Sequence, residues 1–96
     1  MIKHVALMWL HDKAQLPEVM SLVAELEQIT VVSDVASGPA MFSDWEGIDP
    51  SFDFGMILTL DSARDVPAYR FDPVHLRVEA RLVALCADIR GYYIEC

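Results

Sequence analysis

The sequence predicts a single α+β domain whose elements follow the order β-α-β-β-α-α-β. The chain has 96 residues, a length at which proteins form one domain, so we expect residues 1–96 to fold as one unit. Four runs of apolar or β-branched residues are typical of strands. Between these runs, apolar residues recur at helical spacing, which is typical of helices that pack on a sheet.

The composition predicts a subunit interface and disfavours several kinds of partner. Hydrophobic residues make up 54% of the chain and charged residues 23%, which is more apolar surface than one small monomer easily covers. Seven basic and fifteen acidic residues give a net charge of −8. Nucleic acid and anionic membranes are therefore poor partners, because phosphates are bound by clustered Lys and Arg. No run reaches the roughly 20 apolar residues of a membrane span, and no secretory signal is visible, so we expect a cytoplasmic protein.

The first predicted strand covers residues 2–10, an almost unbroken apolar run. Both faces of this strand are apolar, a pattern typical of strands that are covered on both sides. One face carries Val5, Leu7 and Trp9, and the other carries His4 among apolar neighbours. The helices of the chain cover one face only. We therefore predict that Val5, Leu7 and Trp9 face a second copy of the chain.

The middle of the chain predicts a helix, two strands and a loop. Apolar residues at helical spacing behind a proline predict a helix over residues 17–29. A β-branched run predicts the second strand over residues 30–37. Residues 40–51 show no period and are rich in Ser, Asp, Gly and Pro, which predicts a loop. Alternating apolar side chains then predict the third strand over residues 52–60.

Two further helices follow the third strand. Ser62, with Asp65 three residues later, resembles a capping box and predicts a short helix that ends near Arg70. Asp72 and Pro73 have the residue types of an N-cap and a first helical position, so they predict the start of a longer helix.

The longer helix has an apolar side and a charged side, and a last strand follows it over residues 91–95. The inward stripe consists of His75, Val78, Leu82 and Leu85. The residues that we expect to point outward are Arg77, Glu79 and Arg81. This order of elements fits a ferredoxin-like split βαβ sandwich.

Sequence motifs for metals, phosphates and cofactors are absent. The sequence has no glycine-rich phosphate loop, no HExxH, no GxSxG and no cysteine cluster. We therefore expect neither a tightly held metal nor a cofactor. The two cysteines are Cys86 and Cys96. We expect both to stay reduced, with Cys86 buried in the last helix.

The loop over residues 40–51 leaves two alternatives open. Its carboxylates, Asp44, Glu46 and Asp49, could bind a cation, although acidic loops are usually just solvated. Trp45 in the same loop could cover a pocket or lie against the partner subunit. His11 lies in a polar turn, and we expect it to be solvated.

Three side chains are candidates for chemistry: His4, Tyr69 and His75. His75 is the third residue of its helix, where the positive end of the helix dipole disfavours a second proton on the ring. A neutral imidazole can accept a proton, as a general base does, and Tyr69 could point its hydroxyl into the same pocket. His4 lies on the helix-facing side of the first strand, so we predict that all three line one pocket between sheet and helices. The alternative is that these side chains only fill space, with His4 bonded to a nearby carbonyl.

Three segments of the sequence resemble one known family, the stress-responsive A/B barrel (Dabb) domains. The opening segment Met1–Val5 matches the start of the family. The segment Tyr69–His75 matches the family signature Tyr-x-x-His-Pro-x-His, except that Asp72 replaces the first His. The segment Phe52–Phe54 resembles the aromatic-Asp-aromatic start of the third strand. The similarity covers essentially the whole chain.

The resemblance implies a ferredoxin-like subunit whose sheet packs against that of a second copy, which makes a dimeric α/β barrel. One plant cyclase of the family closes a linear polyketide by intramolecular aldol condensation. Its catalytic Tyr and His match Tyr69 and His75, and its histidine on the first strand matches His4. By this resemblance, Tyr69 and His75 are catalytic and His4 is ligand-binding.

Two functions follow from these expectations. One is an enzyme with cyclase- or lyase-like acid–base chemistry on a carbonyl compound such as a polyketide, in which His75 removes a proton and Tyr69 supports the enolate oxygen. The other is a non-catalytic homodimer that serves stress tolerance or binds an apolar ligand. The sequence does not identify the substrate.

Overall fold

One antiparallel sheet and three helices make up the protein in a computed structural model that describes residues Met1–Cys96. The order of elements is the predicted one, and the fold is a ferredoxin-like α+β sandwich. The strand order across the sheet is β2-β3-β1-β4. The strands are β1 (Ile2–Leu10), β2 (Val32–Pro39), β3 (Phe54–Leu60) and β4 (Cys86–Glu95), and the helices are α1 (Leu16–Glu25), α2 (Val66–Arg70) and α3 (Pro73–Leu85).

The last strand is longer than predicted, because it begins at Cys86 and not at residue 91. The chain leaves α3 and enters β4 without a loop, and Cys86 pairs with Leu10 at the far end of β1. Cys86 is buried, as predicted, but it lies in a strand and not in a helix. Ala87 and Asp88 have little intrinsic β-propensity, so pairing with β1 and not local preference extends this strand.

The other boundaries lie within about two residues of their predicted positions, apart from the end of the first helix and the start of the short second helix, where a 3-10 turn over Ala63–Asp65 precedes α2. The α-helical part of that segment ends at Glu25, and a 3-10 turn over Leu26–Gln28 completes it. None of the helices has both the length and the apolar character that a membrane crossing requires.

The core lies between the helices and one face of the sheet. Alternate residues of β1 point into it, and Met8 is almost fully buried there. Val19 and Val23 of α1 and Val78 of α3 cover this face from the helix side, and all three are buried. The predicted inward stripe of α3 is confirmed, because His75, Val78, Leu82 and Leu85 are its buried residues.

The opposite face of the sheet has no cover within the chain. Val5, Leu7 and Trp9 are only half-buried there, and Ile57 of β3 is 47% exposed. The accessible surface of the chain is 6067 Å², against about 5,500 Å² for a compact monomer of this mass. We call this apolar surface the outer face of the sheet.

Asp53, at the end of the loop between β2 and β3, forms hydrogen bonds to the end of β1. Its backbone N–H donates to the Met8 carbonyl at 2.8 Å. Its carboxylate accepts from the Leu10 N–H at 2.8 Å and from Lys13 Nζ at 2.6 Å. The hydrogen bonds from Lys13 and from Leu10 lower the pKa of this carboxyl from its ordinary value of 3.8. The ionised form of Asp53 therefore stabilises the fold.

We expect Asp53→Asn to destabilise the protein by about 1 kcal/mol near neutral pH, since it weakens one charge-assisted hydrogen bond and removes an ion pair. Because the pKa of Asp53 is lowered by folding, its contribution is present above the ordinary value and is lost as the pH falls through the folded value. The difference between the variant and the wild type should therefore shrink in acid. Urea unfolding across that range measures it, with Asp34→Asn on exposed β2 as the control. A difference that is constant with pH would contradict this role.

Candidate functional site

A small cavity of about 80 Å³ lies between the sheet and the helices. Eight of its eleven lining residues are hydrophobic when Tyr69, which has an apolar ring and a polar hydroxyl, is counted among them. The polar or ionisable side chains on its wall are His4, Tyr69, His75 and Glu79. We call this space the central cavity. An apolar cavity with a few convergent polar groups is the usual form of a small-molecule site.

The structure brings all three predicted site residues to the central cavity. The ring centroids of Tyr69 and His75 are 4.5 Å apart, and those of His4 and Tyr69 are 5.8 Å apart. Asp72 stands where the family signature has its first histidine, and its carboxylate accepts a hydrogen bond from the Val74 N–H at 2.8 Å. Asp72 therefore caps α3 and sets the start of the helix that carries His75.

The backbone determines which ring nitrogen of His75 can accept a proton. Nδ1 of His75 lies 2.8 Å from the Arg70 carbonyl oxygen, and a carbonyl only accepts, so Nδ1 is assigned the proton. In the neutral ring, Nε2 then carries the lone pair. His75 is buried, so its position in the core is fixed by packing as well as by this bond.

His4 is held in the same way on the opposite wall of the cavity. Its Nδ1 lies 3.2 Å from the Tyr92 carbonyl oxygen, which again leaves Nε2 as the acceptor. Its ring also stacks on Tyr93 at a centroid distance of 4.7 Å. Burial is the largest influence on the pKa of His4 and lowers it from the ordinary value of 6.5. His4 is therefore a neutral hydrogen-bond acceptor at neutral pH.

Tyr69 supplies the hydrogen-bond donor of the site. The residue is 2% exposed, and burial raises the pKa of its hydroxyl above the ordinary value of 10.0. The hydroxyl therefore stays protonated. The hydroxyl has no hydrogen-bond partner within the chain, whereas every fully buried side-chain N or O atom has one. The hydroxyl is therefore not fully buried. Because Tyr69 lines the central cavity, its hydroxyl can donate to a molecule bound there.

Glu79 is exposed, as predicted for the outward side of α3, but it also contacts the site. The side chain lies at the rim of the cavity, and Oε2 is 3.4 Å from Nε2 of His75. The Cα–Cβ bond tilts toward the start of a helix, so residues four apart lie on one face. The spacing of His75 and Glu79 was the signal that could have revealed this contact.

The other polar candidates lie away from the central cavity. His11 is exposed, and residues 40–51 do not line the cavity. Trp45 is 78% exposed, so it does not close over the cavity in this structure. No group of three or more His, Cys, Asp or Glu side chains lies close enough together to hold a metal ion.

We expect His4→Phe to reduce the pH dependence of stability on the acid side of neutrality. Because folding lowers the pKa of His4, the unfolded chain takes up a proton below the ordinary value while the folded chain does not. Wild-type stability should therefore fall as the pH decreases through that range, and the variant should lose this part of the fall. Urea unfolding at about pH 7.5 and about pH 5 measures the effect. His11→Phe, at an exposed site, is the control, and equal slopes for wild type and His4→Phe would refute the expectation.

Comparison with solved structures shows which proteins share this fold. A dimeric ferredoxin-like protein of unknown function from Thermobifida fusca is 24% identical, with 99% of this chain and 90% of that chain covered and a TM-score of 0.78. A Dabb family protein from Mesorhizobium loti is 17% identical, with coverage of 99% and 95% and a TM-score of 0.76. A hydroxynitrile lyase from Passiflora edulis is 16% identical, with coverage of 98% and 93% and a TM-score of 0.80. These identities show the fold alone.

Comparison of sequences identifies the family. No curated protein sequence matches the chain significantly. The profile of the stress responsive A/B barrel domain, however, matches residues 2–92, which is nearly the whole chain. The fold agrees with this match, and so do the opening segment and the Pro-x-His turn that carries His75. The chain therefore belongs to the stress responsive A/B barrel domain (Dabb) family.

Proposed function

We propose that the central cavity binds a small uncharged carbonyl compound and that His75 and Tyr69 catalyse proton transfer on it. One observation carries this proposal: a hydrogen-bond donor and a proton acceptor face the same apolar cavity, with ring centroids 4.5 Å apart. A base and an oxyanion donor on neighbouring rings of one cavity suit a carbonyl group and the carbon next to it.

The reaction begins with removal of a proton from the carbon next to the carbonyl. Nε2 of His75 takes the proton, and the electron pair of the C–H bond forms an enolate. The Tyr69 hydroxyl donates a hydrogen bond to the enolate oxygen, where negative charge develops. His4 accepts a hydrogen bond through Nε2 and so orients a hydroxyl or amide of the substrate. In a cyclase, the enolate carbon then attacks a second carbonyl of the same molecule, and the alkoxide that forms takes the proton back from Nε2 of His75. In simple exchange, the enolate carbon itself regains a proton from Nε2.

The size and charge of the cavity define the substrate class. Its volume of about 80 Å³ is far below the roughly 300–1,000 Å³ of pockets for drug-sized ligands. A compact compound, or the reactive end of a longer one, fits this space. The Glu79 carboxylate at the rim and the net charge of −8 disfavour anionic substrates.

The comparisons support an enzyme on this fold without defining its reaction. One similar structure is a hydroxynitrile lyase, so the fold accommodates lyase chemistry. A second function, binding of an apolar ligand without reaction, is favoured by the apolar lining of the cavity. Both functions use the same site and differ in whether His75 moves a proton.

Deuterium exchange tests the reaction without knowledge of the natural substrate. Acetylacetone and 2-butanone are compact carbonyl compounds with exchangeable C–H groups. In D₂O, we expect the protein to accelerate loss of their C–H signals in ¹H NMR, at a rate that saturates with carbonyl concentration. Saturable binding of either compound without exchange above the buffer rate would favour the binding function. The absence of both binding and exchange would refute the proposal.

We also propose that the protein is a homodimer in which a second copy covers the outer face of the sheet. This assembly is supported by three features of the outer face: Val5 and Leu7 are only half-buried, Ile57 is exposed, and the chain has more accessible surface than a compact monomer of its mass. The similar protein from Thermobifida fusca is described as dimeric. The central cavity lies on the opposite side of the sheet, so the dimer leaves it open.

A further inference from the structure

Glu79 is the only acidic side chain that lines the central cavity. It lies one turn after His75 on α3, and its side chain is half exposed. Neighbouring acids of the helix layer are paired with arginines, because Glu25 contacts Arg77 at 3.1 Å and Glu18 contacts Arg81. Glu79 has no such partner. Its one ionic contact is with His75.

We propose that Glu79 is a positioning residue that stabilises the protonated form of His75. This inference rests on the proposed function, in which His75 acquires a proton during each turnover. The ring has two anchors: Nδ1 donates to the Arg70 carbonyl at 2.8 Å, and Nε2 faces Oε2 of Glu79 at 3.4 Å. Once Nε2 carries a proton, it can donate to this carboxylate.

The contact distinguishes the two states of the ring. In the neutral ring, Nε2 and the carboxylate are both acceptors, so they share no direct hydrogen bond. In the imidazolium they form an ion pair. An interaction that strengthens as the proton moves accelerates the chemical step, whereas one that is equal in both states only strengthens binding. Glu79 therefore acts on the rate of proton removal more than on the affinity for substrate.

The other groups around the cavity do not supply this stabilisation. Arg70 at the end of α2 and His4 on β1 oppose a second positive charge nearby, and the electrostatic interaction of His4 with His75 lowers the pKa of His4. Tyr69 on α2 and Tyr93 on β4 bring phenol rings and no carboxylate. The carboxylate of Glu79 is thus the single anionic group placed to offset the charge of the imidazolium.

Nitrogen-15 NMR of the His75 ring tests the pairing in the absence of any substrate. We expect Glu79→Gln to reduce the ratio of doubly protonated to neutral His75 by about two- to five-fold at a fixed, mildly acidic pH, the range of a partly exposed ion pair. Glu79→Asp keeps the charge and should restore part of this ratio. Glu27→Gln removes the same charge at an exposed site on the 3-10 turn after α1 and serves as the matched control. A His75 spectrum that is identical in wild type and Glu79→Gln would overturn the inference.

The exchange reaction separates this inference from the proposed function. We expect Glu79→Gln to lower kcat for acetylacetone exchange by about two- to five-fold with KM unchanged, and Glu79→Asp to recover part of the loss. Exchange at the full wild-type rate in Glu79→Gln contradicts the role of Glu79 and leaves the role of His75 intact. Absence of exchange in the wild type, together with the NMR change in Glu79→Gln, refutes the proposed reaction but supports the pairing.

Discussion

His75→Ala is expected to lower the rate of deuterium exchange by about 10²–10⁴-fold, the usual contribution of a positioned general base. The variant removes Nε2, the proton acceptor that faces the cavity beside Tyr69. The alanine also leaves extra space, so binding of 2-butanone should persist. Exchange rates from ¹H NMR at saturating ketone measure the effect.

Tyr69→Phe is the companion variant, because it deletes one hydroxyl and keeps the buried ring. We expect a smaller loss than for His75→Ala, since the base remains while the support of the enolate oxygen is lost. His11→Ala, on the exposed turn, is the control and should exchange at the wild-type rate. Full exchange by His75→Ala would show that another group takes the proton. Binding of the ketone by the wild type without any exchange is a separate outcome, and it would favour the alternative function, binding without chemistry.

Trp9→Glu and Ile57→Glu are each expected to convert the proposed homodimer to monomers or aggregates at micromolar concentration. Each large apolar side chain of the outer face contributes about 1.5–3 kcal/mol when it is buried, and a carboxylate in its place adds a desolvation cost. Sedimentation velocity measures the assembly directly. Wild-type protein should sediment as a dimer.

The two positions complement each other as tests of the interface. Trp9 also contacts its own chain, because its Nε1 donates to Ser51 and its ring packs against Phe52. Ile57 lies opposite Val5 in the central strands and makes a cleaner test. Val83→Glu on α3 replaces an exposed apolar residue away from the sheet, so it should stay dimeric. A monomeric wild type would refute the predicted homodimer.

The convergence of the site residues could be predicted because strand and helix periodicities are strict. His4 shares its side of β1 with Ala6 and Met8, so it had to face the helices. His75 begins the inward stripe of α3, so it had to face the sheet. The burial of His75 and of Ala6 and Met8 agrees with both inferences. The fold class followed from the same alternation, since a one-residue shift would have moved every side chain to the other face.

The start of β4 could not be predicted from local patterns, whereas the four-residue spacing of His75 and Glu79 indicates only that both residues share one side of α3. Ala87 and Asp88 have residue types that are not typical of strands. They lie in the sheet because β1 is long enough to pair with this segment. Glu79 lies at the border between the inward and outward faces of α3, where the direction of the side chain depends on what it contacts. The volume of the central cavity depends on how side chains from three strands, two helices and the 3-10 turn after α1 pack, which no single segment encodes.

The hydrogen bonds from both histidines to main-chain carbonyls have a consequence for engineering the site. The acceptors are the carbonyls of Arg70 and Tyr92, which any residue type at those positions would supply. The tautomers of His75 and His4 therefore depend on the path of the backbone and not on neighbouring side chains. A library that randomises positions 70 and 92 should therefore retain the two Nε2 acceptors, so both positions are open to substitution while the acid–base groups of the cavity stay in place.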